Sequence, residues 1–283
     1  MTVPPKLTLD EINNILTILD GNIDFLSDDE IVNYVNQITT GLPFQTLNFE
    51  KGFLYRGRPN QGNLLFTNTK DLWYPPLNCV KCNRFNDANM QILYVGDSKS
   101  TVIDEVQPIP GSLLTLITYE AISQISTLPI GIKPGVTKTN LFNSKFLQNL
   151  ASGKMRILNN NANHMLIDQT INDYLYKHVT KENKTGDAKE YRFTNIYGDH
   201  FLKAPIDGIL YPSVSRNLYD INMALKPDAV KKLKIIQVDV VKIRDKIPYQ
   251  FELVACSNEF KTNGAIIYND KCGSFDEMTR IFK

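Results

Sequence analysis

Asn83-Arg84-Phe85-Asn86, then Ile92-Leu93-Tyr94-Val95-Gly96-Asp97-Ser98, then Thr101-Val102-Ile103-Asp104-Glu105-Val106: this stretch decides how the chain is read. An arginine and an asparagine precede a short run rich in aliphatic and aromatic side chains, which is a strand signal. Ser98 follows as an N-cap for a helix over residues 99–106. On that helix Val102 and Val106 lie one turn apart on one face, and Glu105 falls beside them at i+3 from Val102. A carboxylate on the edge of a buried stripe is costly without partners. Glu105 is therefore expected where burial or a paired arginine tunes its ionisation, with Asp104 pointing away from that face. From the helix alone, an ordinary solvated glutamate is the competing reading.

Working outward, residues 53–56, 113–119, 209–211, 234–241, 250–255 and 265–268 carry the same strand signal. Before them, Thr8-Leu9-Asp10-Glu11 and Ser27-Asp28-Asp29-Glu30 have the form of capping boxes. Helically spaced Ile12, Ile15, Leu16 and Leu19 follow the first, and Ile31, Val35 and Ile38 follow the second. These two helices form an N-terminal extension over 1–45, whose apolar stripes must lie against the domain that follows. That domain, 46–283, is interrupted by a helical insert at about 121–204, with helices over 141–150 and 165–179 and a polar loop over 181–189. Strand runs with helices inserted in blocks give an α+β fold rather than regular βαβ alternation.

At 283 residues the chain has room for one large domain or two modest ones. A formal net charge of +1 leaves no electrostatic footprint for direct nucleic-acid binding or an anionic membrane surface. No apolar run reaches bilayer-spanning length, and the first residues lack the basic and apolar segments of a secretory signal, so a cytoplasmic location is expected. Cys79 and Cys82 form a lone C-x-x-C pair with Cys256 and Cys272 far away, so all four are expected as reduced, structurally incidental thiols and no metal site is assigned. His164, His178 and His200 have no ligand spacing and are expected in solvated or capping roles. The run Gly131-Ile132-Lys133-Pro134-Gly135-Val136-Thr137-Lys138-Thr139 only superficially suggests a phosphate loop, because its lysine does not directly follow the second glycine the motif requires. Neither G-x-G-x-x-G, H-E-x-x-H nor G-x-S-x-G occurs.

Two further pieces complete a pattern: Leu54-Tyr55-Arg56-Gly57-Arg58, and Asp207-Gly208-Ile209-Leu210-Tyr211-Pro212-Ser213, with Asn222-Met223-Ala224-Leu225 trailing. With the central stretch, and in this order, they resemble the RES-domain family, over about 53–106 and 207–225. The family's G-R-[FW]-N-like motif has Asn83 here in place of glycine, which a residue tolerant of left-handed backbone accommodates. The resemblance implies an ADP-ribosyltransferase-like split β-sheet core, and an enzyme that cleaves the nicotinamide–ribose bond of NAD with water or phosphate as acceptor. It implies Glu105, Arg56 and Ser213 as catalytic, and Arg56, Arg84, Tyr94, Ser213 and Asn222 as NAD-binding. Tyr55, Arg58 and Arg216 are further candidates for lining the site. NAD is then the substrate, and no cofactor or metal is required. Many members are toxins of toxin–antitoxin systems, so a helix-turn-helix antitoxin is the protein partner the resemblance implies. ADP-ribose transfer to a macromolecule, or non-catalytic sensing of NAD or ADP-ribose, would use the same binding residues and stay open as alternatives.

The chemistry agrees with that residue set. Nicotinamide leaves as a neutral base needing no proton, and the anomeric carbon develops oxocarbenium character, as in glycoside hydrolysis. A carboxylate stabilises that charge, arginines hold a diphosphate through planar paired contacts, and an aromatic ring stacks on the base.

Overall fold

The computed structural model describes residues 7–40, 46–132, 162–182, 188–216, 218–246 and 249–269. The helix expected over 141–150 lies outside them. Both capping boxes form. Thr8 opens α1 (Leu9–Asn22), and Ser27 opens α2 (Asp28–Thr39). The apolar positions read from the helical period, from Ile12 to Leu19 and from Ile31 to Ile38, are the ones buried.

The strands are β1 (Leu47–Phe49), β2 (Phe53–Pro59), β3 (Leu93–Gly96), β4 (Leu113–Ala121), β5 (Ile125–Pro129), β6 (Gly208–Pro212), β7 (Ile221–Leu225), β8 (Leu233–Lys246), β9 (Tyr249–Phe260) and β10 (Ile266–Asn269). The helix expected over 99–106 is α3 (Lys99–Val106), capped by Ser98, whose hydroxyl accepts from the Thr101 N–H. Late in the chain come α4 (Ala162–Val179) and α5 (Arg192–Leu202). The chain is thus α+β, with one large mixed sheet and several helices. Three strands escaped the sequence reading, β1, β5 and β7, and the second opens the segment read as a helical insert. All are short, and each is held by pairing: β5 runs antiparallel to β1 and parallel to β6, and β7 runs antiparallel to β3 and β6.

The sheet has ten strands in the order β1-β5-β6-β7-β3-β2-β4-β8-β9-β10. Its weak point is the middle. β2 and β3 are joined by one residue pair, Tyr55 with Gly96, whereas β2 pairs with β4 continuously from Phe53 to Pro59 and β3 pairs with β7 along its whole length. Beyond Tyr55 and Gly96 the two halves part.

α3 lies across that parting because two glycines let it approach. A Cβ on Gly57 of β2 would meet Val106 Cγ2 at 3.1 Å and the Val102 carbonyl oxygen at 3.2 Å, and one on Gly96 of β3 would meet Val102 Cγ1 at 2.9 Å. A buried ion pair, Lys99 Nζ to Asp239 Oδ2 at 2.9 Å, ties the start of α3 to β8.

On the β6–β7–β3 half, one face carries Leu93, Val95, Leu210 and Met223 into a core with β4 and β8. The opposite face, bearing Ile209, Tyr211 and Ala224, is covered by the helices. There α1, α2, α4 and α5 bury their stripes in a single apolar cluster. Arg192 at the start of α5 fastens this layer by donating to the carbonyls of Ile23 at 2.7 Å and Leu26 at 2.6 Å, and to Asp28 Oδ1 at 2.8 Å.

Three expectations are corrected here. His178 is not solvated. Its ring packs between Tyr174 and Phe193, at 4.5 and 4.7 Å, and burial holds its pKa below the usual histidine range. Cys256 is disulfide-bonded rather than reduced, a bond that persists in oxidising surroundings. Cys79 and Cys82 are thiols outside any disulfide. Asn83 is not among the residues with positive φ. It replaces glycine without left-handed backbone, and its side-chain oxygen accepts from the Arg84 N–H at 2.8 Å.

Candidate active site

Where β2 and β3 part, the side chains next to the last pair line a cleft of about 330 Å³ instead of closing the sheet. Arg56 and Gly57 come from β2, Tyr94 and Val95 from β3, and Val102, Glu105 and Val106 from α3; Asn83, Arg84, Tyr191, Tyr211 and Asn222 complete it. Of the site residues read from the sequence, Arg56, Arg84, Tyr94, Glu105 and Asn222 are therefore brought together.

Glu105 is exposed to the cleft rather than sunk in the helix's buried stripe, which is made by Ser100, Thr101, Val102 and Ile103. Its carboxylate is held by two neutral donors, not by an arginine. Ser213 Oγ donates to Oε1 at 2.6 Å and Asn222 Nδ2 to the same oxygen at 2.7 Å. Both donors are buried, at 0 and 5 % exposure. One oxygen is fixed by the protein, and Oε2 is left for a ligand.

Ser213 differs in position from what the resemblance implies. It is fully buried and does not line the cleft. Its hydroxyl hydrogen is committed to Glu105, so it holds the carboxylate from outside the cleft lining. The loop behind it is pinned to the same helix. Arg216 donates to Asp104 Oδ2 at 2.9 Å and to Asp220 Oδ2 at 2.8 Å. Burial pushes the Asp104 carboxyl up against the pull of Arg216. Asp104 thus lies outside the cleft lining, as does Arg216, which is a structural partner here.

Arg84 sits on a tight turn closed by mutual backbone hydrogen bonds between Asn83 and Asn86. Tyr94 braces that turn: its hydroxyl accepts from the Phe85 N–H at 3.0 Å and donates to Asn86 Oδ1 at 2.9 Å. Burial raises the Tyr94 pKa well above the ordinary tyrosine value, so the phenol stays protonated. Phe85 plugs the turn into the core. It is fully buried, its ring is edge-on to Tyr211 at 4.9 Å, and Gly198 of α5 is pressed against it.

The two cleft arginines differ from those elsewhere. Arg192, Arg216 and Arg244 each pair with carboxylates. Arg84 is only 9 % exposed, yet among the described residues its guanidinium donates one hydrogen bond, to the Lys181 carbonyl at 3.3 Å, and lies 5.2 Å from the Tyr191 ring centre. Arg56 donates to the Trp73 carbonyl and faces the phenol of Tyr119. Neither has a carboxylate partner among the described residues. A nearly buried guanidinium with most of its donors unused is a strong anion-binding group. Arg58, by contrast, lies over the Phe66 ring at 4.6 Å, and Tyr55 packs in the apolar cluster under α3.

Sequence reasoning missed Tyr191 and Tyr211 as cleft residues. Tyr211 stood inside a quoted motif without a role, and Tyr191 arrives from the segment read as insert, where no local signal marks it. The two glycines carried a readable signal, since glycine inside a strand marks close backbone approach. Among the described residues, no group of three or more His, Cys, Asp or Glu could hold a metal ion, and no helix is long and apolar enough to cross a membrane. Comparisons of the chain with family models, with curated proteins and with solved structures find no match in any of the three.

Proposed function

We propose that this protein binds NAD in the cleft between β2 and β3 and cleaves its nicotinamide–ribose bond, on an ADP-ribosyltransferase-like core of the RES type. The observation that carries the reading is the charge arrangement. Two arginines without carboxylate partners among the described residues share one cleft with a glutamate that keeps an oxygen for a ligand. Arg56 and Arg84 hold the diphosphate, where their planar donors match its oxygens. Glu105 Oε2 faces the anomeric carbon and stabilises the positive charge that builds there. The rings of Tyr94, Tyr191 and Tyr211 give the leaving base an aromatic wall. A cleft at the lower end of the roughly 300–1,000 Å³ usual for small-molecule sites holds the reacting half of the dinucleotide and leaves the rest along its rim.

In the reaction the carbon–nitrogen bond breaks with its electron pair passing to the pyridinium nitrogen, so nicotinamide leaves neutral. Water or phosphate then adds through oxygen. Water's surplus proton passes to Glu105 or to solvent. Products are nicotinamide with ADP-ribose, or with ADP-ribose 1″-phosphate. The chemistry asks for no metal or cofactor. Control by an antitoxin belongs to the same proposal. The test is proton NMR of NAD incubated with the folded protein, with and without phosphate. Released nicotinamide supports the reading and the second product names the acceptor; intact NAD in both refutes it.

A further inference from the structure

Tyr211 is 6 % exposed, its ring locked edge-on against Phe85 at 4.9 Å, yet it lines the cleft. Its hydroxyl has no hydrogen-bond partner among the described residues. That contrasts with Tyr94 beside it, whose hydroxyl has two. Unlike the hydroxyl of Tyr174, that of Tyr211 is not one of the fully enclosed unpaired atoms, so it opens onto the cleft, and the apolar packing of the ring alone would be met by phenylalanine.

Register fixes where the ring points. Tyr211 pairs across the ladder with Asn222, which donates to Glu105, and stands two residues from Ser213, which also donates to Glu105. Residues two apart, and residues directly opposite in adjacent strands, share a sheet face. Tyr211 therefore stands on the Glu105 side of the cleft, and its electrostatic neighbours are Tyr94, Glu105, Arg84 and Tyr191. The hydroxyl thus shares the cleft with both the carboxylate and the Arg84 guanidinium.

We infer that Tyr211 is an additional substrate-binding residue whose hydroxyl donates a hydrogen bond to the nicotinamide–ribose half of NAD, orienting it against Glu105. This rests on the proposed NAD-cleaving reading. Burial raises the Tyr211 pKa well above the ordinary value, which keeps the hydroxyl a donor at any working pH.

Calorimetric titration tests it, in a Glu105→Gln background that suppresses turnover, with Tyr211 kept or changed to Phe, and with NAD and ADP as titrants. ADP carries the diphosphate for the arginines but not the nicotinamide–ribose half. The inference predicts NAD binding about tenfold weaker in Tyr211→Phe, ADP binding unchanged, and a melting temperature equal to or above the parent's. Equal NAD affinity in the two proteins overturns the role of Tyr211 and leaves the NAD reading standing. A parallel loss of NAD and ADP affinity, or a lowered melting temperature, assigns Tyr211 to the scaffold and also overturns it. Absence of NAD binding in both proteins refutes the NAD reading, and this assignment with it.

Discussion

Replacing Gly57 with alanine should destabilise the protein and disable the cleft, although glycine-to-alanine changes ordinarily stabilise by limiting the unfolded chain. The added methyl would stand 3.1 Å from Val106 Cγ2 and 3.2 Å from the Val102 carbonyl oxygen. The second of these is helix backbone and cannot rotate aside, so α3 must move by a few tenths of an ångström. It is not at liberty to do so. Lys99 holds one end on the fully buried Asp239, and Asp104 and Glu105 hold the other on Arg216, Ser213 and Asn222. Overpacking of this kind costs about 1–3 kcal/mol, which for a chain of 283 residues lowers the melting temperature by about 2–5 °C. Gly21 supplies the control, because it ends the exposed side of α1 with nothing within 4 Å of a built Cβ. Gly21→Ala should instead raise the melting temperature by about 1–2 °C. Scanning calorimetry of the two variants beside the parent decides the matter, and NAD turnover of Gly57→Ala should fall by about tenfold or more as Glu105 shifts. A Gly57→Ala protein that melts with the parent would refute the argument that α3 is seated on that glycine.

Arg84→Lys should weaken NAD binding by about 10- to 100-fold in a calorimetric titration, because a lysine keeps the charge but loses the planar fork. Stability should fall as pH drops below about 6.5, the ordinary histidine value. Burial depresses the folded-state pKa of His178 against the attraction of Asp20, with Lys177 and Lys181 adding to the depression. The neutral ring is the form the fold favours, so this contribution is complete above the unfolded pKa and is lost as pH falls through the folded one. His178→Phe should flatten the melting-temperature profile over that window, and an unchanged slope would place the pH dependence elsewhere.

The central helix was legible because its signals are local. Ser98, the valine spacing and Glu105 lie within a few turns, and the structure keeps the expected boundaries of α3. Much of the cleft was legible for a different reason: Arg56, Arg84, Tyr94 and Asn222 follow from the order of the motifs in the resemblance, whereas Arg84 sits on a turn and no local period marks the strand of Asn222. What stayed hidden depends on long-range pairing. Ser213 could be named but not placed, since its burial behind Glu105 follows from β6 lying beside β7. Tyr191 reaches the cleft only because α5 is seated on Phe85 and anchored through Arg192 to the turn between α1 and α2, and no segment encodes that alone. β1, β5 and β7 are three, five and five residues long, too short to declare themselves without their partners. His178 looked like surface because the aromatic rings that enclose it come from its own helix and from α5.

The most direct test compares nicotinamide release from NAD by wild type and by Glu105→Gln. The amide oxygen of glutamine can still accept from Ser213 and Asn222, so the substitution keeps the local hydrogen bonds and removes only the charge. The account predicts matching melting temperatures and a rate at least about 10²-fold lower in the variant. Equal rates in the two proteins, or no release by folded wild type, would contradict the claim that Glu105 drives NAD cleavage in this cleft.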